Sequence, residues 1–211
     1  MYFIATCDLI QSKTIHDRSR VQEELKRAVN IVNERYSKEL LCPFTSVWGD
    51  SFQGALKSLN GLYNILDTFE QLISVDFRCG LGIGEISTDF SLNTLEMDGM
   101  AFYRSQNALE IAKKERYYVW IQSGNTHFDT LVNTILALIY AIKTRWNAHQ
   151  REIIRLRQEG LTQTEIGTKK GISKQAVSKM LKYTHSKVVF FAIDTLNDLT
   201  YSDFEPREDE L

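Results

Sequence analysis

The stretch from Arg151 to Tyr183, REIIRLRQEGLTQTEIGTKKGISKQAVSKMLKY, constrains the chain most. Its apolar residues come in short helical groups divided by caps and glycines. Ile153, Ile154 and Leu156 mark one face of a helix that Gly160 stops in the left-handed conformation. Thr162 stands where a short helix carrying Ile166 needs its cap. Gly171 permits a sharp turn. Ser173 then caps a further helix with Ala176, Val177 and Leu181 on its inward face. Short helices joined by tight turns bury their apolar positions only by packing on one another.

The charge pattern singles out the same region. From Lys143 to Lys187 there are eleven Lys or Arg and three Glu, a balance of +8. The rest holds 14 basic and 24 acidic residues, a balance of −10, so the net −2 conceals a strong asymmetry. A segregated basic patch is the electrostatic footprint of a nucleic-acid binder. The bland alternative is a Lys-rich solvated helical module.

Upstream of residue 125 strands and helices alternate. Tyr2 to Ile10 is an apolar run that predicts a buried strand. Ser19 to Gln22 has the form of a capping box, and Val21, Leu25, Val29, Val32 and Tyr36 follow at helical spacing. Phe44 to Val47 and Phe52 to Leu56 predict a hairpin with Gly49-Asp50 at its turn. Leu59 to Ile73 predicts a helix. Val75 to Ile86 predicts a strand with Phe77, Cys79, Leu81 and Ile83 on one face. Gly99 to Lys114 predicts a helix, and Tyr117 to Ile121 a strand. From His127 onward only helices are expected. The order predicts an α+β chain: a ferredoxin-like βαββαβ domain over 1–124, an all-α domain over 125–202, and a disordered acidic tail over 203–211.

Cys7, Cys42 and Cys79 are too few and too far apart for a disulfide framework or a zinc site. The apolar runs around Cys7 and Cys79 predict core thiols there, which fits a cytoplasmic location. The N-terminus lacks the features of a signal peptide. The longest apolar stretch, Leu131 to Ile142, is too short to span a bilayer and reads as a buried or dimerising helix. No membrane partner is expected. His127, His149 and His185 are isolated, and Trp146 is expected to pack between the two modules.

Two carboxylates stand out. Asp8 ends the first strand and Asp50 sits at the hairpin tip, so pairing of the hairpin with the first strand would let both acids face one another across a strand edge. Paired carboxylates beside a phosphate commonly hold Mg²⁺ in nucleotide enzymes. The alternative is a strand end and a turn residue with no metal. Arg78, on an apolar strand, is expected to pair with Glu85 or to hold a phosphate.

The Arg151–Tyr183 segment resembles the helix-turn-helix of bacterial sigma-factor-like and response-regulator output domains. That resemblance makes Ser173 to Tyr183 a recognition helix. Thr162, Ser173, Lys174, Gln175, Ser178, Lys179 and Lys182 become candidate contacts to double-stranded DNA, with a homodimer setting half-site spacing. The segments VWGDSFQGAL, FRCGLGIGEIST and DGMAFYRSQNALEIAKK resemble the palm domain of class III nucleotide cyclases and GGDEF proteins. The resemblance implies that Asp8 and Asp50 bind Mg²⁺ or Mn²⁺, and it matches Arg78, Gly80, Gly84 and Gly99 to the family's strand and helix-opening glycines. Cyclases place an Asn and an Arg where this chain has Tyr103 and Asn107, and a base-selecting Lys where it has Ser46. Arg104, one residue away, is the candidate replacement and, with Arg78, the candidate nucleotide contact. The whole chain resembles the SatD family. The expectation is a DNA-binding regulator with a cyclase-like sensing or dimerising domain. The rivals are a nucleotide-binding or cyclase-like enzyme, and an adaptor that uses its helical half for protein contacts.

Overall fold

The computed structural model describes residues 1–10, 17–47 and 49–204, without the side chains of residues 202 and 203. Among them the chain is mixed α/β, with one five-stranded sheet and eight α-helices. The acidic residues 205–211, expected as a tail, lie outside the described residues.

The chain divides into two compact units. The first holds Met1–Leu136 and the segment that begins at Leu196; the second is Ala137–Thr195. Both divisions fall inside helices, α4 (Thr126–Lys143) and α8 (Ser186–Asp198). The expected boundary at 124/125 lies within the first unit. Phe128 shows why α4 begins in that unit: it packs edge-on against Tyr201 and Phe204 at 5.0 and 5.1 Å, while Asn125 donates to the Phe204 carbonyl.

In the first unit β1 (Tyr2–Leu9) is central because Phe3 to Cys7 are buried without a break. It pairs antiparallel with β3 (Ser51–Leu56) on one side and β4 (Phe77–Gly84) on the other. β2 (Leu40–Ser46) lies outside β3, and β5 (Val119–Gln122) runs parallel to β4, giving the order β2-β3-β1-β4-β5. β2 begins earlier than its Phe44 signal suggested, and its register shifts between Leu40 and Thr45, around Pro43. A proline is tolerated on such an edge, where its missing donor breaks no ladder.

The alternation of β4 assigns the two faces. Phe77 packs with Phe52 (5.5 Å) and Tyr118 (5.2 Å), and Phe69 of α2 (Leu62–Leu72) completes this aromatic core at 4.7 Å from Phe52. The helix α1 (Arg18–Arg35) buries Val21, Leu25, Val29 and Val32. Its cap lies two residues ahead of the expected one: Asp17, not Ser19, caps it, accepting from the Arg20 amide at 3.0 Å. On the other face α3 (Met100–Glu115) lies directly on β4. A Cβ on Gly80 would sit 2.1 Å from the Ser105 carbonyl oxygen, and one on Gly82 2.0 Å from that of Ala101. Those glycines are thus required by backbone contact between helix and strand.

Both sheet edges carry an asparagine that imitates a missing strand. Asn33 accepts from the Phe44 amide (2.7 Å) and donates to its carbonyl (2.8 Å) on β2. Asn133 does the same for Ile121 on β5, at 2.8 and 2.9 Å. Unpaired edge groups invite intermolecular strand pairing, and these amides use them up.

The second unit contains α5 (Ala148–Gln158), α6 (Gln163–Lys170) and α7 (Lys174–Tyr183) between the ends of α4 and α8. Trp146 belongs to it: the indole is buried and donates to the Thr184 carbonyl at 2.9 Å. No helix among the described residues is long and apolar enough to cross a membrane.

Candidate functional site

Two places deserve description as sites. The first is the surface of α7. Its scaffold is the small core of Ile153, Leu156, Ile166 and Val177, with Leu161, Ile172, Met180 and Leu181 partly buried around it. Val177 alone of the three expected inward residues of α7 is fully buried; Ala176 and Leu181 are half-buried. Thr162 and Glu165 form a reciprocal capping box at the start of α6. The Thr162 backbone bond, then its side-chain bond, hold the Glu165 carboxyl below its ordinary pKa. Gly171 ends α6 in the left-handed region (φ 66°), and the Ile172 amide returns to the Gly167 carbonyl at 3.0 Å. A Cβ on Gly167 would lie 2.7 Å from the Ile172 carbonyl oxygen, which is why this turn needs glycine at both ends. Ser173 then caps α7, accepting from the Ala176 amide at 3.1 Å.

This geometry turns Ser173, Lys174, Gln175, Ser178, Lys179 and Lys182 outward, all exposed. Some of the unit's basic side chains are engaged within it and some are not. Lys170 pairs with Glu152, Arg155 with Glu159, and Arg157 donates to the Leu161 carbonyl (2.9 Å). Lys174, Lys179 and Lys182 have no ion-pair partner among the described residues. Thr162 is less available: its hydroxyl donates to Glu165 (2.8 Å) and accepts from the Glu165 amide (3.2 Å). The Ser173 hydroxyl only accepts, so its hydrogen is left for a ligand.

The second place is the end of the sheet where β1 stops. Asp8 faces Ser51 across β3 and Arg78 across β4. Its carboxylate accepts from the Ser51 hydroxyl (2.8 Å) and pairs with Lys113, in the last turn of α3, at 2.9 Å. Partial burial pulls the Lys113 ammonium down, but the bond to and charge of Asp8, then of Glu110, outweigh it and raise its pKa. The Asp50 carbonyl accepts from the Leu9 amide at 3.0 Å, which brings the hairpin tip beside Asp8. The turn itself needs Gly49 (φ 71°), and Arg18 and Gln22 of α1 approach it. Behind Asp8, Gln53 donates to Thr6 (2.8 Å), and Thr6 and Ser105 share a hydrogen bond of 2.9 Å beneath α3.

Arg78 is half-buried, and its guanidinium makes a single long bond, 3.5 Å, to the Phe77 carbonyl. The expected pair with Glu85 does not form. Seven residues of an extended chain put the two side chains on opposite faces. Arg104 is not gathered with Asp8. It donates to the Ile83 carbonyl at 2.7 Å and packs on Gly84 and Gly124, at the other end of β4. Six strand residues, roughly 20 Å, separate the two arginines along β4. Tyr103 donates to Asp98 at 3.0 Å, and Asn107 and Ser46 are exposed.

Ser51 and Lys113 are the members of this cluster that sequence reasoning missed. Lys113 and Lys114 look alike as C-terminal helix charges, and only the docking of α3 on Gly80 decides which one turns inward. Among the described residues no three His, Cys, Asp or Glu gather as metal ligands.

A search of curated proteins finds no match to this chain. The sequence profile of the SatD family, in contrast, matches residues 2–200. The match spans nearly all of both units, and the chain therefore belongs to the SatD family.

Proposed function

We propose that the protein is a DNA-binding regulator in which α6 and α7 act as a helix-turn-helix and the first unit acts as a cyclase-like sensing or dimerising domain. The observation that carries this reading is the outward row of α7, where a well-capped helix presents Lys174, Lys179 and Lys182 without acidic partners beside Gln175 and Ser178. Lysines neutralise phosphates, and a glutamine amide can read an adenine edge. Supporting the palm-like half of the proposal are the strand order and the antiparallel pairing of β1 with β3 and β4, followed by a parallel β4-α3-β5 crossover. One such module binds weakly, so a homodimer is part of the proposal. Three buried free thiols fit a cytoplasmic location.

Fluorescence anisotropy of the full chain with a labelled duplex tests it. Binding in the micromolar range that weakens steeply with added salt is expected. Absence of salt-sensitive binding at micromolar protein rejects it.

A second reading is nucleotide binding or cyclase-like chemistry at the sheet end. Its favouring observation is Arg78, a half-buried cation without a carboxylate partner among the described residues, next to Asp8 and Lys113. Asp8 and Asp50 would supply the hard oxygen ligands that Mg²⁺ or Mn²⁺ prefers, and such an ion would neutralise phosphate charge. Lys113 would have to leave Asp8 to admit it. A product from ATP or GTP with Mn²⁺ that disappears in Asp50→Asn supports this reading. No product and no calorimetric binding of either nucleotide removes it.

A further inference from the structure

Between Cys79 and Tyr103 the chain carries four carboxylates, Glu85, Asp89, Glu96 and Asp98, and no lysine or arginine. All four are exposed. The segment joining β4 to α3 also exposes Phe90 (47%), Leu92 (69%) and Leu95 (54%). Its backbone is locked. The Ser87 amide bonds the Asp98 carbonyl at 2.7 Å, the Cys42 thiol donates to the Ser91 carbonyl, and Met97 is buried against Ile4 and Ala55. Leu92 and Leu95 are therefore carried outward on a fixed frame, while the Phe90 ring stacks on Tyr2 at 6.3 Å and leaves its other side open. Exposed apolar groups rimmed by charge mark a protein-binding surface, and the uniform sign requires a basic partner.

The same chain offers that chemistry. Its segment from Lys143 to Lys187 has a balance of +8. Around the α7–α8 turn it exposes Tyr183 (77%), Val188 (55%) and Phe191 (73%) beside the exposed Lys182 and Lys187. We infer that the acidic, apolar surface over residues 85–98 binds the Lys182–Phe191 region of a second copy, head to tail. Pairing of this patch with its own copy would set carboxylates against carboxylates, so the contact joins two different surfaces of the chain. A head-to-tail contact closes into rings or propagates as open chains. This inference does not rest on DNA binding, and a copy whose Lys182 is engaged in this contact does not offer that side chain to DNA.

Sedimentation velocity on the full chain tests it. Glu85 and Asp89 make no side-chain hydrogen bond or ion pair among the described residues, so Glu85→Lys/Asp89→Lys leaves the frame intact. At low salt the wild type should self-associate with rising concentration and dissociate at high salt. Glu85→Lys/Asp89→Lys and, separately, Lys182→Glu/Lys187→Glu should each weaken association about tenfold or more, the loss expected when like charges are set across an interface. Mixing the two variants should restore it. A wild type that stays monomeric at low salt overturns the inference. So does association that either reversal leaves unchanged, or reversed variants that fail to rescue each other while circular dichroism shows both folded.

Discussion

The Lys113 ammonium sits 2.9 Å from the Asp8 carboxylate. The pair joins the last turn of α3 to the end of β1, so the carboxylate proposed above as a metal ligand already holds an internal cation. Lys113→Met should remove that competitor. Isothermal titration of Mn²⁺ should then show tighter binding than in the wild type if Asp8 is a metal ligand, and equal affinities would remove Asp8 from that role.

The same substitution has a pH signature. The folded-state pKa of Lys113 is raised, so the stabilisation from its pairing is fully present below the unfolded value of about 10.4 and is lost as pH rises through the folded value. Urea unfolding of wild type and Lys113→Met should differ by about 0.5–1 kcal/mol at neutral pH, the range for a partly exposed pair. The difference should shrink only above about pH 10.5. A difference that instead falls away between pH 6 and 9 would assign the effect to another group.

Gly82→Ala should destabilise the first unit severely. Its Cβ would meet the Ala101 carbonyl oxygen at 2.0 Å, and both partners are backbone, which cannot rotate away. Overpacking of this kind costs about 1–3 kcal/mol and sometimes more. Thermal melts should show a fall of several degrees or loss of the folded transition, whereas Gly160→Ala, with open space around its Cβ position, should show only the smaller strain of its positive φ.

Thr94→Val should be neutral or stabilising by up to about 1 kcal/mol. The Thr94 hydroxyl is buried without a hydrogen-bond partner among the described residues, and the methyl that replaces it has no solvation to lose. Chemical denaturation reads the change. A loss above about 1 kcal/mol would mean that the hydroxyl has a partner in solution.

What the sequence made legible was local. The caps at Thr162 and Ser173, the turn at Gly171 and the alternation of Phe77, Cys79, Leu81 and Ile83 depend on neighbours a few residues away, and each stands as read. The start of α1 moved because Asp17 and Ser19 are both good caps and only the path of the chain chooses between them. The long-range choices stayed hidden. Asn33 and Asn133 are ordinary helix residues until two strand edges lie beside them. Arg78 and Arg104 look equivalent as candidate anion contacts until β4 sets them at opposite ends. Glu85 was a plausible partner for Arg78 on sequence distance and an impossible one on strand parity. The division of the chain inside α4 and α8 has no marker in composition, because a continuous helix shows no punctuation where its packing partners change.

The proposed contact of α7 with DNA through its outward lysines is tested most directly by the salt dependence of duplex binding. Each phosphate neutralised by a lysine contributes about 0.9 to the slope of log affinity against log salt concentration. With folding checked by circular dichroism, Lys174→Ala/Lys179→Ala/Lys182→Ala should bind more weakly and lower the magnitude of that slope by about 2 to 3. A wild-type slope and affinity retained in the triple variant would contradict DNA recognition through α7.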